Sequence, residues 1–149
     1  MHRFPILLLE DDLAIVDIIQ RTAKISFPQA SFIRVDSFEE AVIYFYNLEG
    51  YGPKLVLIDI NLVGSKTGLD FLALLKEHPI GRLIPAIVLS ASPSLQHRRQ
   101  AYQLGATSFF RKPFSLQDWK KLFELIQVYW YQTVSLAPTW YEKHVRESR

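Results

Sequence analysis

Two unbroken apolar runs end in carboxylates. Ile6, Leu7, Leu8 and Leu9 lead straight into Glu10, Asp11 and Asp12, and Leu55, Val56, Leu57 and Ile58 lead into Asp59. A continuous run of this length, rather than an alternation, marks a strand buried on both faces, as in the interior of a parallel sheet. In such a sheet the two acidic ends emerge together on the carboxyl edge, where open α/β sheets bind their ligands. A carboxylate at the end of a buried strand is costly to desolvate without a partner. Several of them crowded together repel one another, so the pattern calls for a bound cation.

The rest of the sequence alternates strand and helix signals. Leu13 to Ile25 has a helical apolar pattern that Asp12 is placed to cap, and Ser31 to Val35 reads as a second strand. Ser37 can cap a helix built on Ala41, Val42, Phe45 and Leu48, and Gly50, Gly52 and Pro53 break the chain before the strand ending at Asp59. A loop from Asn61 to Gly68 leads to a third helix with Leu69, Leu72 and Leu75, and the strand Ala86 to Leu89 ends at Ser90. A polar fourth helix starts at Ser92 or Ser94 and closes at Gly105. Ser108 to Arg111 forms a fifth strand running into Lys112 and Pro113. Ser115 and Asp118 resemble a capping box for a long last helix that uses Trp119, Leu122, Phe123, Leu125, Ile126, Tyr129 and Trp130 and is limited by Pro138. Five strands alternating with five helices predict an α/β fold, a doubly wound five-stranded parallel sheet of flavodoxin-like topology.

Composition narrows the chemistry. The 149 residues contain no cysteine, which excludes disulfides, thiolate metal sites and cysteine catalysis. A net charge of +2 does not point to nucleic acid. No apolar run reaches the length of a membrane span, and the N-terminal apolar stretch is too short for a signal peptide, so the expected setting is cytoplasmic with no membrane partner. His2, His78, His97 and His144 share no metal-like spacing and read as solvated.

Chemistry-bearing residues follow four of the five strands on one edge: Glu10 and Asp11, Asp59, Ser90, and Lys112. Carboxylate and carbonyl oxygens suit Mg2+. A phosphate next to Asp59 also needs a hydroxyl and a fixed positive charge, which Ser90 and Lys112 can supply. The set describes an aspartyl-phosphate site, in which a carboxylate attacks phosphorus in line.

The segments ILLLEDD, LVLIDIN, IVLSAS and GATSFFRKPF, in this order and each at a strand end, resemble the receiver domain of two-component response regulators. The resemblance runs from Ile6 to Val134, giving a receiver domain over 1–134 and a C-terminal tail over 135–149. It implies that Asp59 accepts phosphate from a sensor histidine kinase, and that Asp11 ligates Mg2+ directly while Glu10 acts through water. It also implies that the backbone carbonyl of Asn61 completes the ligands, that Ser90 and Lys112 contact the phosphate, and that the Lys112–Pro113 bond is cis. Where the family often has a switch tyrosine this chain has Phe109, which can signal only by ring packing. The loop NLVGSKTG lacks the proline often found at the position of Val63 and is one residue longer.

A second, shorter resemblance lies in VYWYQTVSLAP, which is similar to the ending of single-domain, phytochrome-associated response regulators. It implies a homodimer through the fourth helix, fifth strand and fifth helix. The aromatics beyond the needs of one helix face either form a self-association patch or belong to a tail folded back over the domain. The expected function is a stand-alone, Mg2+-dependent phosphoacceptor switch that signals by protein contacts and catalyses only its own phosphorylation and dephosphorylation. The downstream partner is not identified by the sequence. Three alternatives compete. A haloacid dehalogenase-like phosphatase normally needs a second acid where Asn61 stands. A flavin binder would want a phosphate loop in place of Glu10–Asp12. A phosphorylation-independent adaptor would not need the intact acid, serine and lysine set.

Overall fold

The computed structural model describes residues 3–62, 64–91 and 94–142. Val63, Ser92, His2, His144 and the basic residues Lys143, Arg146 and Arg149 lie outside the described residues, and so do the expectations placed on them. The central sheet has five parallel strands in the order β2-β1-β4-β5-β6: β1 (Phe4–Leu9), β2 (Ala30–Val35), β4 (Leu55–Asp59), β5 (Ala86–Ser90) and β6 (Ser108–Arg111). Helices α1 (Leu13–Ser26), α2 (Phe38–Tyr46), α3 (Gly68–Glu77), α4 (Leu95–Gln103) and α5 (Leu116–Ile126) connect and cover it. The expected α/β architecture is the observed one. Among the described residues no helix is long and apolar enough to cross a membrane.

The apolar runs are central because they are buried on both faces. Ile6 to Leu9 and Leu55 to Ile58 are at most 1% exposed, and their side chains divide between two cores. One core joins Ile6, Leu8, Leu55 and Leu57 to Val16, Ile19, Trp119, Phe123 and Ile126 of α1 and α5. The other joins Leu7, Leu9, Val56 and Ile58 to Phe45, Phe71, Leu72 and Leu75 of α2 and α3. Burying these side chains stabilises the fold by roughly 1.5–3 kcal/mol each.

The helices start where capping side chains stand. Asp12, Ser37, Ser94 and Ser115 each accept a backbone N–H from the first turn of α1, α2, α4 and α5. For α3 the Asp70 carboxylate accepts the Thr67 N–H at 2.7 Å, a capping contact that the T-x-x-D spacing allows. Some apolar positions of the sequence pattern face outward. Leu13 and Ile25 of α1 are 69% and 70% exposed, and Leu125 of α5 also faces solvent. Tyr129 is exposed too, because α5 passes into a π-helical segment, Gln127–Thr133, which shifts the residues facing the core.

The largest departure from expectation is C-terminal. After the π-helical segment the chain crosses the amino edge of the sheet, where Tyr131, Leu136 and Pro138 share a cavity of about 350 Å³ with Phe4, Lys54 and Pro85. It then forms β7 (Trp140–Tyr141), antiparallel to β3 (Gly50–Tyr51). Trp140 meets the Tyr51 ring edge-on at 4.8 Å, and both remain exposed. Tyr141 is buried against Phe45, with ring centroids 5.6 Å apart, and stacks on His78 at 6.0 Å. Of the two readings of the surplus aromatics, Tyr141 follows the folded-back one. Gly52 makes room for it, since a Cβ there would lie 2.5 Å from the tyrosine ring.

Two histidines depart from the solvated reading. His78 is half-buried, and its Nδ1 accepts the backbone N–H groups of Ile80 and Gly81, both at 3.1 Å, so it caps the turn that follows α3. His97 is half-buried on α4, with its Nδ1 sealed from solvent and without a hydrogen-bond partner among the described residues.

The Tyr141 hydroxyl is likewise buried without a partner among the described residues. Tyr141→Ala is therefore expected to cost roughly 3 kcal/mol in denaturant unfolding, and Tyr141→Phe to be neutral or stabilising.

Candidate functional site

The register of the sheet brings the strand ends together. Leu9 pairs with Ile58, so Glu10 follows β1 at the level of Asp59, the last residue of β4. Asp59 pairs with Leu89, which places Ser90 one step beyond it on β5. Ser90 pairs with Arg111, and the Lys112 N–H donates to the Ser90 carbonyl at 2.9 Å. Parallel pairing thus sets Glu10, Asp59, Ser90 and Lys112 along one edge, on four adjacent strands.

Their side chains converge. The Lys112 Nζ lies 2.9 Å from Glu10 Oε1 and 3.2 Å from Asp59 Oδ2. One carboxylate oxygen from each of Glu10, Asp11 and Asp59 falls within 4.8 Å of the others. Glu10 and Asp59 are 1% and 4% exposed, whereas Asp11 is half-buried. Asp59 Oδ1 accepts the Asn61 N–H at 3.2 Å. Phe109 is half-buried against the α2–α3 core and its neighbour Phe110 against the α1–α5 core, the alternation expected of successive strand residues. The Lys112–Pro113 bond is trans, which corrects the expected cis bond. The two isomers of such a bond differ by only about 0.5–1 kcal/mol, and the trans form already lets Lys112 bond Ser90 through its backbone and the two acids through Nζ.

Glycine is required at one point. Gly68 opens α3, and its N–H donates to the Ile60 carbonyl at 3.1 Å. A Cβ at this position would stand 2.0 Å from the Asp59 carbonyl oxygen. The tight approach lets α3 begin directly beneath the strand end.

Electrostatics follow from the burial. Desolvation, then the hydrogen bond with Asp59, push the Glu10 carboxyl up to about 8, even though Lys112 pulls the other way. Burial alone would lower the Lys112 ammonium, but its hydrogen bond to Glu10 and the charges of both acids outweigh this and raise it. Glu10 Oε2 and the fully buried Ser90 hydroxyl have no hydrogen-bond partner among the described residues. A divalent cation fits this donor set: three hard carboxylates, one with an orphaned oxygen, at a strand edge where burial disfavours the ionised Glu10.

Arg34 of β2 is a functional candidate that the sequence did not reveal. Its guanidinium donates to the backbone carbonyls of Glu10 and Asp11. A contact from a side chain to main-chain carbonyls leaves no residue-type pattern to find.

Residues 6–124 match the family described as the response regulator receiver domain. The chain is similar to the response regulator Rcp1 of Synechocystis, 30% identical over 135 residues that make up 88% of this chain and 91% of that protein. Among solved structures it is similar to the phosphorylated cyanobacterial phytochrome response regulator RcpA, with a TM-score of 0.81, 28% identity, and coverage of 91% of this chain and 99% of that one. It is also similar to the Mn2+-bound form of Rcp1, with a TM-score of 0.78, 28% identity, and coverage of 89% and 98%.

The raised Glu10 pKa has a definite sign. A carboxyl that titrates at about 8 when folded and 4.5 when unfolded stabilises the native state fully below about pH 4.5, and this stabilisation is lost as pH rises through about 8. In metal-free buffer, wild type should therefore lose stability relative to Glu10→Gln across that window, measured as denaturant midpoints. Mg2+ needs the ionised carboxylate, so its affinity should rise with pH, by up to about tenfold per pH unit.

Proposed function

The chain belongs to the response regulator receiver domain family, and from that premise we propose that Asp59 is the phosphoacceptor of a Mg2+-dependent switch served by a sensor histidine kinase. The observation that carries this reading is the meeting of Lys112 Nζ with both Glu10 and Asp59, beside a buried Ser90 hydroxyl that has no partner among the described residues. The carboxylates of Glu10, Asp11 and Asp59 and the backbone carbonyl of Asn61 would hold the cation. Bound there, Mg2+ neutralises the acids and shields the incoming phosphoryl oxygens from them.

The protein's own groups do the rest. An Asp59 carboxylate oxygen attacks phosphorus in line, forming the O–P bond as the P–N bond of the kinase phosphohistidine breaks, and the departing imidazole takes a proton from solvent. Lys112, already between Glu10 and Asp59, can transfer its attraction to the new phosphoryl oxygens, which bring roughly −2 charge. The Ser90 hydroxyl gains an acceptor for its hydrogen. Drawing Ser90 inward changes the space behind Phe109, which packs on the same core as Ala101, the buried residue of α4. The readout is then a repacking of α4, β6 and α5, exposed to a protein partner or a second copy of the chain. Asn61 in place of a second acid fits an acceptor better than a phosphatase that turns over.

Two measurements test the proposal. Incubation with acetyl phosphate and Mg2+ should add one phosphoryl group by intact mass to wild type and none to Asp59→Asn; labelling of the variant would remove Asp59 from its role. Sizing with and without beryllofluoride should show a change of mass or shape, and its absence would remove dimerisation as the output.

A further inference from the structure

Glu10 and Asp11 sit on the first loop that leaves the sheet, and their carboxylates can converge on Asp59 only if the backbone of this loop is fixed. Lys112 holds the Glu10 side chain from one side, but it does not reach the main chain. The main chain is held from β2, the strand on the opposite side of β1 from Asp59. The Glu10 N–H donates to the Val35 carbonyl at 3.1 Å, one step past the last β1–β2 pair. Arg34 supplies the rest: its Nε donates to the Glu10 carbonyl at 3.2 Å and its Nη2 to the Asp11 carbonyl at 3.4 Å. One planar guanidinium therefore spans two successive carbonyls, a geometry the point charge of a lysine cannot reproduce.

We propose that Arg34 is a positioning residue for the divalent-cation site, a fork from β2 that fixes the Glu10–Asp11 backbone so that both carboxylates face Asp59. This rests on the reading of the acidic cluster as a cation site. Groups that orient ligands without touching the ion commonly set affinity by 10–100-fold. The guanidinium has a second, opposing effect, because a positive charge near the cluster repels a cation. That repulsion is partly offset here, because the Arg34 charge also acts on the acids Asp36 and Glu40. On this proposal positioning outweighs charge, and the two effects predict opposite signs when the charge is removed.

The test uses the full chain as wild type, Arg34→Lys and Arg34→Gln. Calorimetric titration with MgCl2 should show both variants binding roughly tenfold more weakly than wild type. Their metal-free Tm should stay within a few degrees of wild type, and their acetyl phosphate labelling rate should recover at saturating Mg2+. Arg34→Gln binding Mg2+ as tightly as wild type or more tightly would overturn the proposal in favour of a charge effect. Arg34→Lys binding like wild type would overturn it too, as would weakened binding accompanied by a large fall in Tm. Wild type that takes up no Mg2+ would instead overturn the reading of the cluster on which the proposal stands.

Discussion

The structure depends on one unfavourable contact made tolerable. Two almost fully buried carboxylates, Glu10 and Asp59, are brought to one place by the pairing of β1 with β4, and the ammonium of Lys112 lies between them. The cost shows in the Glu10 carboxyl, pushed up to about 8 chiefly by its own desolvation and then by its hydrogen bond with Asp59. A bound cation would lower the cost of ionising Glu10, and a lysine held by carboxylates can turn toward a stronger anion. In the proposed function, cation binding and phosphate capture would both draw on this crowding of acids at one strand edge.

The fold serves this contact at each step. Parallel strands deliver four chemically different residues to one edge without any loop having to reach across. Gly68 lets α3 start against the Asp59 carbonyl, Arg34 ties down the acidic loop from the outer strand, and the Lys112 backbone extends the β5–β6 ladder. The C-terminal segment braces the far edge: Tyr131 and Leu136 pack on the α1–α5 core, and Tyr141 packs on the α2–α3 core. One stretch of chain thereby links the two faces of the sheet at the end away from the site.

What was legible in the sequence was whatever a residue's own type and spacing dictate. The buried strands, their acidic ends, the order of Glu10, Asp59, Ser90 and Lys112, and the caps at Asp12, Ser37, Ser94 and Ser115 all follow from hydrophobic period and side-chain chemistry. What was not legible depends on partners distant in the chain. Two-residue strands have no period to detect, so the pairing of Gly50–Tyr51 with Trp140–Tyr141 was hidden, and with it the burial of Tyr141 and His78. The π-helical turn after Ile126 rotated Tyr129 outward against its helical spacing. The trans Lys112–Pro113 bond reflects a small energy difference that no residue pattern determines.

The central claim is that Glu10, Asp11 and Asp59 form one centre for a divalent ion. The most direct measurement is anomalous diffraction from crystals soaked in Mn2+. The account predicts a single strong peak at bonding distance from the Asp11 and Asp59 carboxylates, with Lys112 alongside. A peak elsewhere, or none at the cluster at saturating metal, would contradict it.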